Sequence, residues 1–345
     1  RKTAGDIMET GKKETEKKET DKKETEKKEN GKRERPLIVL TGPTAVGKTK
    51  LSISLAKAVG GEIVSADSMQ VYRHMDIGTA KITQEEMQGI THHMIDILEP
   101  WESFNVAVFK DMCGQCLPGI YERGHIPIVT GGTGFYIQAL LRDVEFTENE
   151  SNMEYRAYLE AVASQKGAAY LHEMLEKADP VSARNIHANN IKRTIRALEY
   201  FHLTGEPISR HNEREREKSS AYYSWYFVLN DERTHLYHNI DLRVDEMMRD
   251  GLVAEVEALA GLGCHKDMVS MQGLGYKEIL SYLNGESTLE QAVELLKRNT
   301  RHFAKRQLTW FRREQNVIWV DKDKFEYDED RILQYMLEVI NQNTQ

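Results

Sequence analysis

The sequence predicts an α/β fold with a parallel sheet, helices on both faces and an all-helical insertion. Short apolar runs, such as those at residues 37–40 and 126–129, alternate with segments of helical periodicity, an order typical of parallel strands joined by helices. In the middle of the chain the strand signals disappear and only helical periodicity remains. We therefore predict an α/β core at 36–145 and 207–325 and a helical insertion at 146–206.

The N-terminal segment is a charged repeat. From Lys12 onward the pattern Lys-Lys-Glu-Thr-Glu recurs with small changes every five residues, without an apolar residue up to Gly31. A period of five matches neither an amphipathic helix nor a heptad, so the repeat has nothing to bury against a core. We predict a disordered tail at 1–35 and leave open a weak electrostatic tether to RNA.

Composition limits the compartment and the partners. The net charge of −8 means that any basic surface for nucleic acid has to be local. No apolar run is long enough to span a membrane, and the charged N-terminus does not resemble a signal peptide. The three cysteines are few and odd in number, which favours a reducing compartment. We expect a cytoplasmic monomer with no membrane partner.

Residues 42–49 carry the pattern of a phosphate-binding P-loop, Gly-Pro-Thr-Ala-Val-Gly-Lys-Thr. An apolar strand precedes the pattern and a helix follows it, as a P-loop NTPase-like sheet requires. Backbone N–H groups of such a loop point at one anion, Lys48 supplies a charge to the terminal phosphate, and the Thr49 hydroxyl can reach Mg²⁺. The predicted diphosphate site consists of Gly42, Thr44, Ala45, Val46, Gly47, Lys48 and Thr49.

Two further segments are expected beside the P-loop. A short strand at 63–65 delivers Asp67 to the carboxyl edge of the sheet, where ligands bind in open α/β folds. From the residues alone Asp67 could bind Mg²⁺, act as a base or cap a helix. The strand at 126–129 runs into a second glycine loop, residues 130–136, and ends in Thr130 where an ATPase would normally place an aspartate.

The C-terminal half resumes the α/β pattern and carries most of the local positive charge. We predict one long helix over 234–260, a tight loop at 271–277, a helix over 289–313 and a last strand at 316–320. The helix over 289–313 has no acidic residue from 297 to 313, and its basic residues alternate with aromatic ones, as expected for a surface that binds a polyanion. The residues therefore indicate a phosphate-handling enzyme that acts on nucleic acid.

Seven blocks of the sequence resemble one family, the tRNA dimethylallyltransferases (isopentenyl-tRNA transferases). They begin at residues 42, 67, 76, 131, 193, 273 and 304 and occur in the family's order. The resemblance implies transfer of the dimethylallyl group of dimethylallyl diphosphate to the exocyclic amine of the adenine on the 3′ side of the anticodon, with release of diphosphate. Mg²⁺ is the implied cofactor, and tRNA and dimethylallyl diphosphate are the implied partners.

The resemblance also implies roles for individual residues. The family's general base matches Asp67, Arg243 matches an arginine that faces the diphosphate, and Lys48 would neutralise the leaving group as the carbon–oxygen bond breaks. The adenine would turn out of the anticodon loop into a channel between the core and the insertion. The implied tRNA contacts are Asp67, Ser68, Met69, Gln70, Thr133, Arg156, Lys192, Arg193, Arg196, Gly273, Gly275, Tyr276, Lys305, Arg306, Gln307 and Arg312.

Three alternatives stay open at this point: a small-molecule P-loop kinase that uses ATP, an adenylate (AMP) dimethylallyltransferase, and a non-catalytic RNA-binding protein with a P-loop switch. The kinase leaves the basic aromatic helix without a role. A mononucleotide acceptor needs neither that helix nor the insertion. Prenyl transfer to tRNA uses both, and it needs no strand-end aspartate at Thr130 because no phosphoryl group is transferred.

Overall fold

The computed structural model describes residues 35–144, 153–218 and 220–342. The chain divides into two compact units, residues 141–220 and the remainder. The smaller unit contains the predicted insertion and extends beyond it at both ends. Most of the predicted tail lies outside the described residues.

Six parallel strands form one sheet in the larger unit, in the order β3-β2-β4-β1-β5-β6. The predicted α/β fold class with a parallel sheet is confirmed. The central strand β1 pairs with β4 on one side and β5 on the other. The strands are β1 (Pro36–Thr41), β2 (Gly61–Ser65), β3 (His92–His93), β4 (Ile126–Gly131), β5 (Tyr223–Asn230) and β6 (Ile318–Asp321).

Helices connect the strands and build the smaller unit. Short 3₁₀ turns lie at Ser270–Gln272 and Lys322–Phe325. The helices in the described part of the chain are α1 (Lys48–Val59), α2 (Gln84–Met87), α3 (Val106–Glu122), α4 (Gly134–Leu141), α5 (Met153–Ala178), α6 (Pro180–Asn185), α7 (Ile191–Thr204), α8 (Ile208–Glu217), α9 (Arg233–Asp250), α10 (Leu252–Gly261), α11 (Tyr276–Leu283), α12 (Leu289–Phe311) and α13 (Glu329–Gln342).

The sheet is buried on both faces. On β1, Ile38 and Leu40 belong to the cluster that also contains Leu55 of α1, and both are fully buried. Leu37 and Val39 point to the opposite face and are equally buried. Burial of both sets requires cover on both faces, as is usual for parallel sheets.

Two glycines decide where helices break. The single helix predicted over 234–260 is wrong, because Gly251 has a φ of 104° in the left-handed region and separates α9 from α10. In α5, Gly167 has non-helical angles, a φ of 86° and a ψ of 165°. Helix α5 therefore consists of two helical segments that meet at Gly167.

The polar C-terminal residues form a helix that the sequence analysis did not predict. Helix α13 buries Ile332, Met336 and Ile340, which lie four residues apart on one face, in the same cluster as α1. Asp328 caps its first turn by accepting hydrogen bonds from the N–H groups of residues 330 and 331. The larger unit thus continues past the boundary expected at residue 325.

The smaller unit has its own core. Asp179 is buried at the start of α6, and its two oxygens accept hydrogen bonds from the backbone and hydroxyl groups of Ser182 and Ser209. These four bonds tie the start of α8 to that of α6. The apolar core consists of Leu159, Val162, Leu171, Leu175, Ala183, Ile195, Ala197 and Leu198.

Candidate active site

The P-loop lies between β1 and α1 and has a positive φ at three positions, Gly42, Ala45 and Gly47. Ala45 has a φ of 64° and Gly47 a φ of 97°. A Cβ atom on Gly42 would lie 2.5 Å from the carbonyl oxygen of Leu229 on β5, so a side chain there would collide with backbone. This geometry turns the loop back over the carboxyl end of β1 and leads it into the positive end of α1.

Lys48 lies across the P-loop. Its Nζ donates to the carbonyl oxygens of Gly42 at 3.0 Å and Pro43 at 2.7 Å. Burial of the ammonium group and repulsion from Arg243 lower the pKa of Lys48 to about 7, while the carboxylate of Asp67 acts in the opposite direction. The charges of both Arg243 and Asp67 therefore act on Lys48 at the P-loop.

Asp67 uses one oxygen to hold its own loop. Its Oδ1 accepts hydrogen bonds from the N–H groups of Met69 at 2.8 Å and Gln70 at 3.2 Å. Residues 68–83 contain no helix, so Asp67 closes a local turn and does not cap a helix. Within the described part of the chain no hydrogen bond to Oδ2 is found, so the fixed carboxylate keeps one oxygen for another group.

Gln70 and Ser68 lie beside Asp67, and both are half-buried. The Gln70 amide donates to the carbonyl oxygens of Thr79 and Ala80 and accepts from the Ser65 hydroxyl at 3.2 Å. Its amide is therefore already used in this state to connect β2 to the block at 76–81. One lone pair of Gln70 Oε1 is left for an RNA donor, whereas an RNA acceptor would have to replace one of the bonds from Nε2.

The second glycine loop packs against the Asp67 segment. Thr133 N donates to the carbonyl oxygen of Ala66 at 3.3 Å. A Cβ atom on Gly131 would lie 2.4 Å from that same oxygen, and one on Gly134 would lie 2.2 Å from the Trp310 ring. The glycines thus permit close contact with β2 on one side and with α12 on the other.

Helix α12 separates its predicted RNA contacts onto two faces. Lys305, Arg306 and Arg312 are exposed, as an RNA-binding surface requires. Gln307 is only 6% exposed; its Oε1 accepts from Thr44 N at 2.9 Å and its Nε2 donates to Gly132 O at 2.9 Å. Gln307 therefore lies beneath the two glycine loops, and its burial argues against the predicted contact with tRNA.

The N–H group of Thr44 is likewise engaged. It was predicted to contribute to the anion site, but it donates to Gln307. Thr44 thus has its hydroxyl left for a diphosphate. The backbone groups from Ala45 to Thr49 form the part of the loop that leads into α1.

The loop at 271–277 is more buried than we expect for a segment that contacts RNA. Tyr276 is fully buried, and its hydroxyl donates to Glu255 at 2.6 Å. Gly273 and Gly275 are also buried, and Gly275 N donates to Glu278. The prediction that Tyr276 contacts tRNA is corrected, because its side chain is enclosed by the protein.

Glu255 is a connecting residue that no sequence motif indicated. Its carboxylate accepts hydrogen bonds from the N–H groups of Asp76, Ile77 and Gly78, at 2.9, 2.7 and 3.1 Å. Together with the hydroxyl of Tyr276, four donors converge on this one side chain. Glu255 therefore ties the block that begins at residue 76 to the block that begins at residue 273.

In the smaller unit, Arg156 is part of an ion pair. It forms two hydrogen bonds of 2.8 Å with Glu199, which is 2% exposed. Because a buried carboxylate without a partner is costly, Arg156 has a structural role whether or not it meets RNA. The other predicted contacts, Lys192, Arg193 and Arg196, are exposed on α7.

The described residues can be compared with the predicted Mg²⁺ ligand and with the expectation of no membrane partner. Among the described residues no group of three or more His, Cys, Asp or Glu side chains is arranged to hold a metal ion. Thr49, the predicted Mg²⁺ ligand, is exposed in the first turn of α1. In that same part of the chain no helix has the length and apolar character needed to cross a membrane.

The chain is similar to known prenyltransferases over most of its length. The IPP transferase family model matches residues 70–314, and the isopentenyl transferase model matches residues 36–98. A tRNA dimethylallyltransferase of Lachnoclostridium phytofermentans is 61% identical over 308 residues, covering 89% of this chain and 98% of that protein. One from Carboxydothermus hydrogenoformans is 50% identical over 288 residues, covering 84% and 92%.

Solved structures agree with these relatives. The full-length tRNA isopentenylpyrophosphate transferase of Bacillus halodurans matches with a TM-score of 0.67 and 45% identity, covering 90% of this chain and 97% of that chain. A eukaryotic dimethylallyltransferase described as acting on tRNA matches with a TM-score of 0.69 and 29% identity, covering 83% and 74%.

Fold and site together define a P-loop transferase with an α/β core. The chain belongs to the IPP transferase family, that of the tRNA dimethylallyltransferases. The family predicted from the seven blocks and the prediction of a tRNA-modifying prenyltransferase are confirmed. The relatives match this prediction and not the kinase or AMP alternatives.

Proposed function

We propose that the protein transfers a dimethylallyl group from dimethylallyl diphosphate to the exocyclic amine of the adenine 3′-adjacent to the anticodon of tRNA. One observation carries the proposal: Lys48 lies across the P-loop, and the charges of Arg243 and Asp67 both act on it. Thr130, at the strand end where an ATPase needs a carboxylate, instead donates its hydroxyl to Leu40 O at 2.9 Å.

The P-loop binds the diphosphate that departs. The N–H groups at the start of α1, the Lys48 ammonium and the Arg243 guanidinium face the charge that grows on the leaving oxygen as the carbon–oxygen bond breaks. Fixed cations contribute most at this point, because the charge develops in the transition state. Arg243 is half-buried on α9, where burial lowers its pKa without removing its charge.

Asp67 accepts the proton of the acceptor amine. The nitrogen lone pair forms the new carbon–nitrogen bond, the carbon–oxygen bonding pair leaves with diphosphate, and the surplus proton on nitrogen passes to the carboxylate. The bonds from Met69 and Gln70 to Oδ1 orient the group, and Oδ2 is left to take the proton. An adenine amine is weakly basic, so a positioned acceptor is needed as attack proceeds.

Mg²⁺ fits this site as a companion of the diphosphate. Thr49 is exposed beside the P-loop, and the described residues hold no acidic cluster that would bind the ion alone. The Thr49 hydroxyl and phosphate oxygens would together hold it, as is usual for Mg²⁺. When bound, the ion neutralises diphosphate charge.

The RNA is bound by exposed basic side chains within each unit. On α12 these are Lys305 and Arg306, with Arg312 directly after its end, and on α7 they are Lys192, Arg193 and Arg196. They give local positive charge to a protein whose net charge is −8. We also propose that the protein is a monomer and that it works in the cytoplasm, a reducing compartment that suits its free cysteines.

Labelled dimethylallyl diphosphate tests the proposal directly. The protein is incubated with it and, separately, with unmodified tRNA, AMP or ATP. We expect label in tRNA alone. Label in AMP would favour the mononucleotide enzyme, and absence of label from tRNA with folded protein would contradict the proposal.

A further inference from the structure

Gln307 connects three segments of the larger unit. Its side chain is buried on the inner face of α12, where one amide atom accepts from the P-loop at Thr44 N and the other donates to Gly132 O. Both distances are 2.9 Å. The amide therefore acts as a bridge between the P-loop and the second glycine loop.

Gly132 is required by this bridge. A Cβ atom at that position would lie 2.1 Å from Gln307 Nε2. The φ of Gly132 is not positive, so its backbone alone does not require glycine. Close approach of the amide is the physical reason for a glycine here, which indicates that the two residues function together.

The bridge lies on a different face of α12 from the exposed cations. Arg306 is exposed, whereas its neighbour Gln307 is buried against the glycine loops. Successive side chains of a helix point about 100° apart, so two adjacent residues contact different surroundings. The side-chain hydrogen bonds of Gln307 are to the P-loop and the second glycine loop.

We propose that Gln307 is a positioning residue for the diphosphate site and makes no contact with RNA. It holds the Thr44 peptide in place and so keeps the following P-loop N–H groups aimed at the anion. This inference rests on the proposed binding of diphosphate by the P-loop. Two neighbours on one helix, Arg306 and Gln307, then serve different substrates.

Matched substitutions separate the two roles. Gln307→Met keeps the side-chain volume but removes both hydrogen bonds, and Arg306→Met makes the same change one residue earlier. We expect Gln307→Met to weaken binding of inorganic diphosphate with Mg²⁺ by about tenfold and to raise KM for dimethylallyl diphosphate similarly, with KM for tRNA unchanged. Arg306→Met should raise KM for tRNA and leave diphosphate affinity as it is.

Gly132→Ala provides an independent test, also if Gln307→Met folds poorly. The added methyl displaces the amide, so Gly132→Ala should reproduce the loss of diphosphate affinity. The double variant should be no worse than either single variant, because both remove the same bridge. Thermal unfolding of each variant ensures that folded protein is compared.

The outcomes distinguish this inference from the proposed function. Lys48→Ala should abolish diphosphate binding; if it binds as the unaltered protein does, the P-loop is not the diphosphate site and both proposals are overturned. If Lys48→Ala loses binding while Gln307→Met and Gly132→Ala retain it, the role of Gln307 alone is overturned. A rise of KM for tRNA alone in Gln307→Met would also overturn it.

Discussion

Asp67 divides its carboxylate between structure and chemistry. Oδ1 accepts hydrogen bonds from two backbone N–H groups. These bonds fix the orientation of the carboxylate but do not involve Oδ2. A side chain fixed in this way needs no rearrangement before it accepts a proton. The two hydrogen bonds to Oδ1 are those of an ordinary turn. Because they fix the carboxylate, they also make Asp67 a suitable base.

Asp67→Asn separates the two uses. The amide oxygen can still accept from Met69 N, but the group cannot take a proton. We expect kcat to fall by about two orders of magnitude or more, while the Kd for tRNA changes little. Single-turnover rates and filter binding measure the two quantities, and an equal loss of both would make Asp67 a binding residue only.

Lys48 makes diphosphate binding depend on pH. Burial and Arg243 lower its pKa to about 7, so the free protein loses this charge as the pH rises above that value. Diphosphate favours the charged ammonium, so binding takes up a proton, and affinity should fall by up to about tenfold per pH unit above 7.

Calorimetry in buffers of different ionisation enthalpy measures this proton uptake. Lys48→Arg is the control, because a guanidinium keeps its charge throughout the range. The difference between the two proteins removes the titration of diphosphate itself. Identical pH profiles would show that Lys48 does not titrate here.

Tyr276 and Gln307 show the limit of motif reading at the residue scale. Their blocks were recognised correctly, but both side chains are buried and hydrogen-bonded to Glu255 and to the glycine loops. A motif identifies positions that matter without stating which way each side chain points. Direction depends on packing between segments far apart in sequence.

At the scale of elements, the site depends on loops held by helices behind them. Helix α12 holds the glycine loops through Gln307 and Trp310, and α10 holds the block at 76–81 through Glu255. The strands and the P-loop were predictable because apolar runs and glycine spacing are local signals. The break at Gly251 and the helix α13 were not predicted, because isolated glycines and half-polar helices give weak local signals.

The exposed face of α12 can be tested by salt dependence. Arg306→Ala removes one cation from that face, so it should weaken tRNA binding and reduce the slope of log affinity against log salt by about 0.7–0.9. Arg249→Ala, an exposed change on α9 outside the predicted contacts, should leave the slope unchanged. An unaltered slope for Arg306→Ala would place the RNA elsewhere.

The connection through Glu255 can be tested by stability. Glu255→Ala leaves three loop N–H groups and the Tyr276 hydroxyl without their acceptor, which should lower the free energy of unfolding by about 1–3 kcal/mol. Denaturant unfolding measures the change, with exposed Glu257→Ala on the same helix as the control. Equal free energies of unfolding for the two variants would show that the hydrogen bonds of Glu255 do not stabilise the protein.

At the scale of the whole molecule, a nucleotide-type loop serves a different ligand. The sheet order and the P-loop are those expected of an NTPase-like fold, yet β4 carries no acidic residue at its end. Basic side chains are concentrated on α7 and α12 of an acidic protein. These features agree with a P-loop that receives the leaving diphosphate while the nucleotide arrives as part of an RNA.

The stoichiometry of the reaction tests this claim most directly. Folded protein, dimethylallyl diphosphate, Mg²⁺ and an unmodified anticodon stem-loop are combined without any nucleoside triphosphate, and released diphosphate and dimethylallylated RNA are measured together. We expect equimolar amounts of both products, and we expect Lys48→Ala to lose both together. A requirement for ATP, or release of orthophosphate in place of diphosphate, would contradict it.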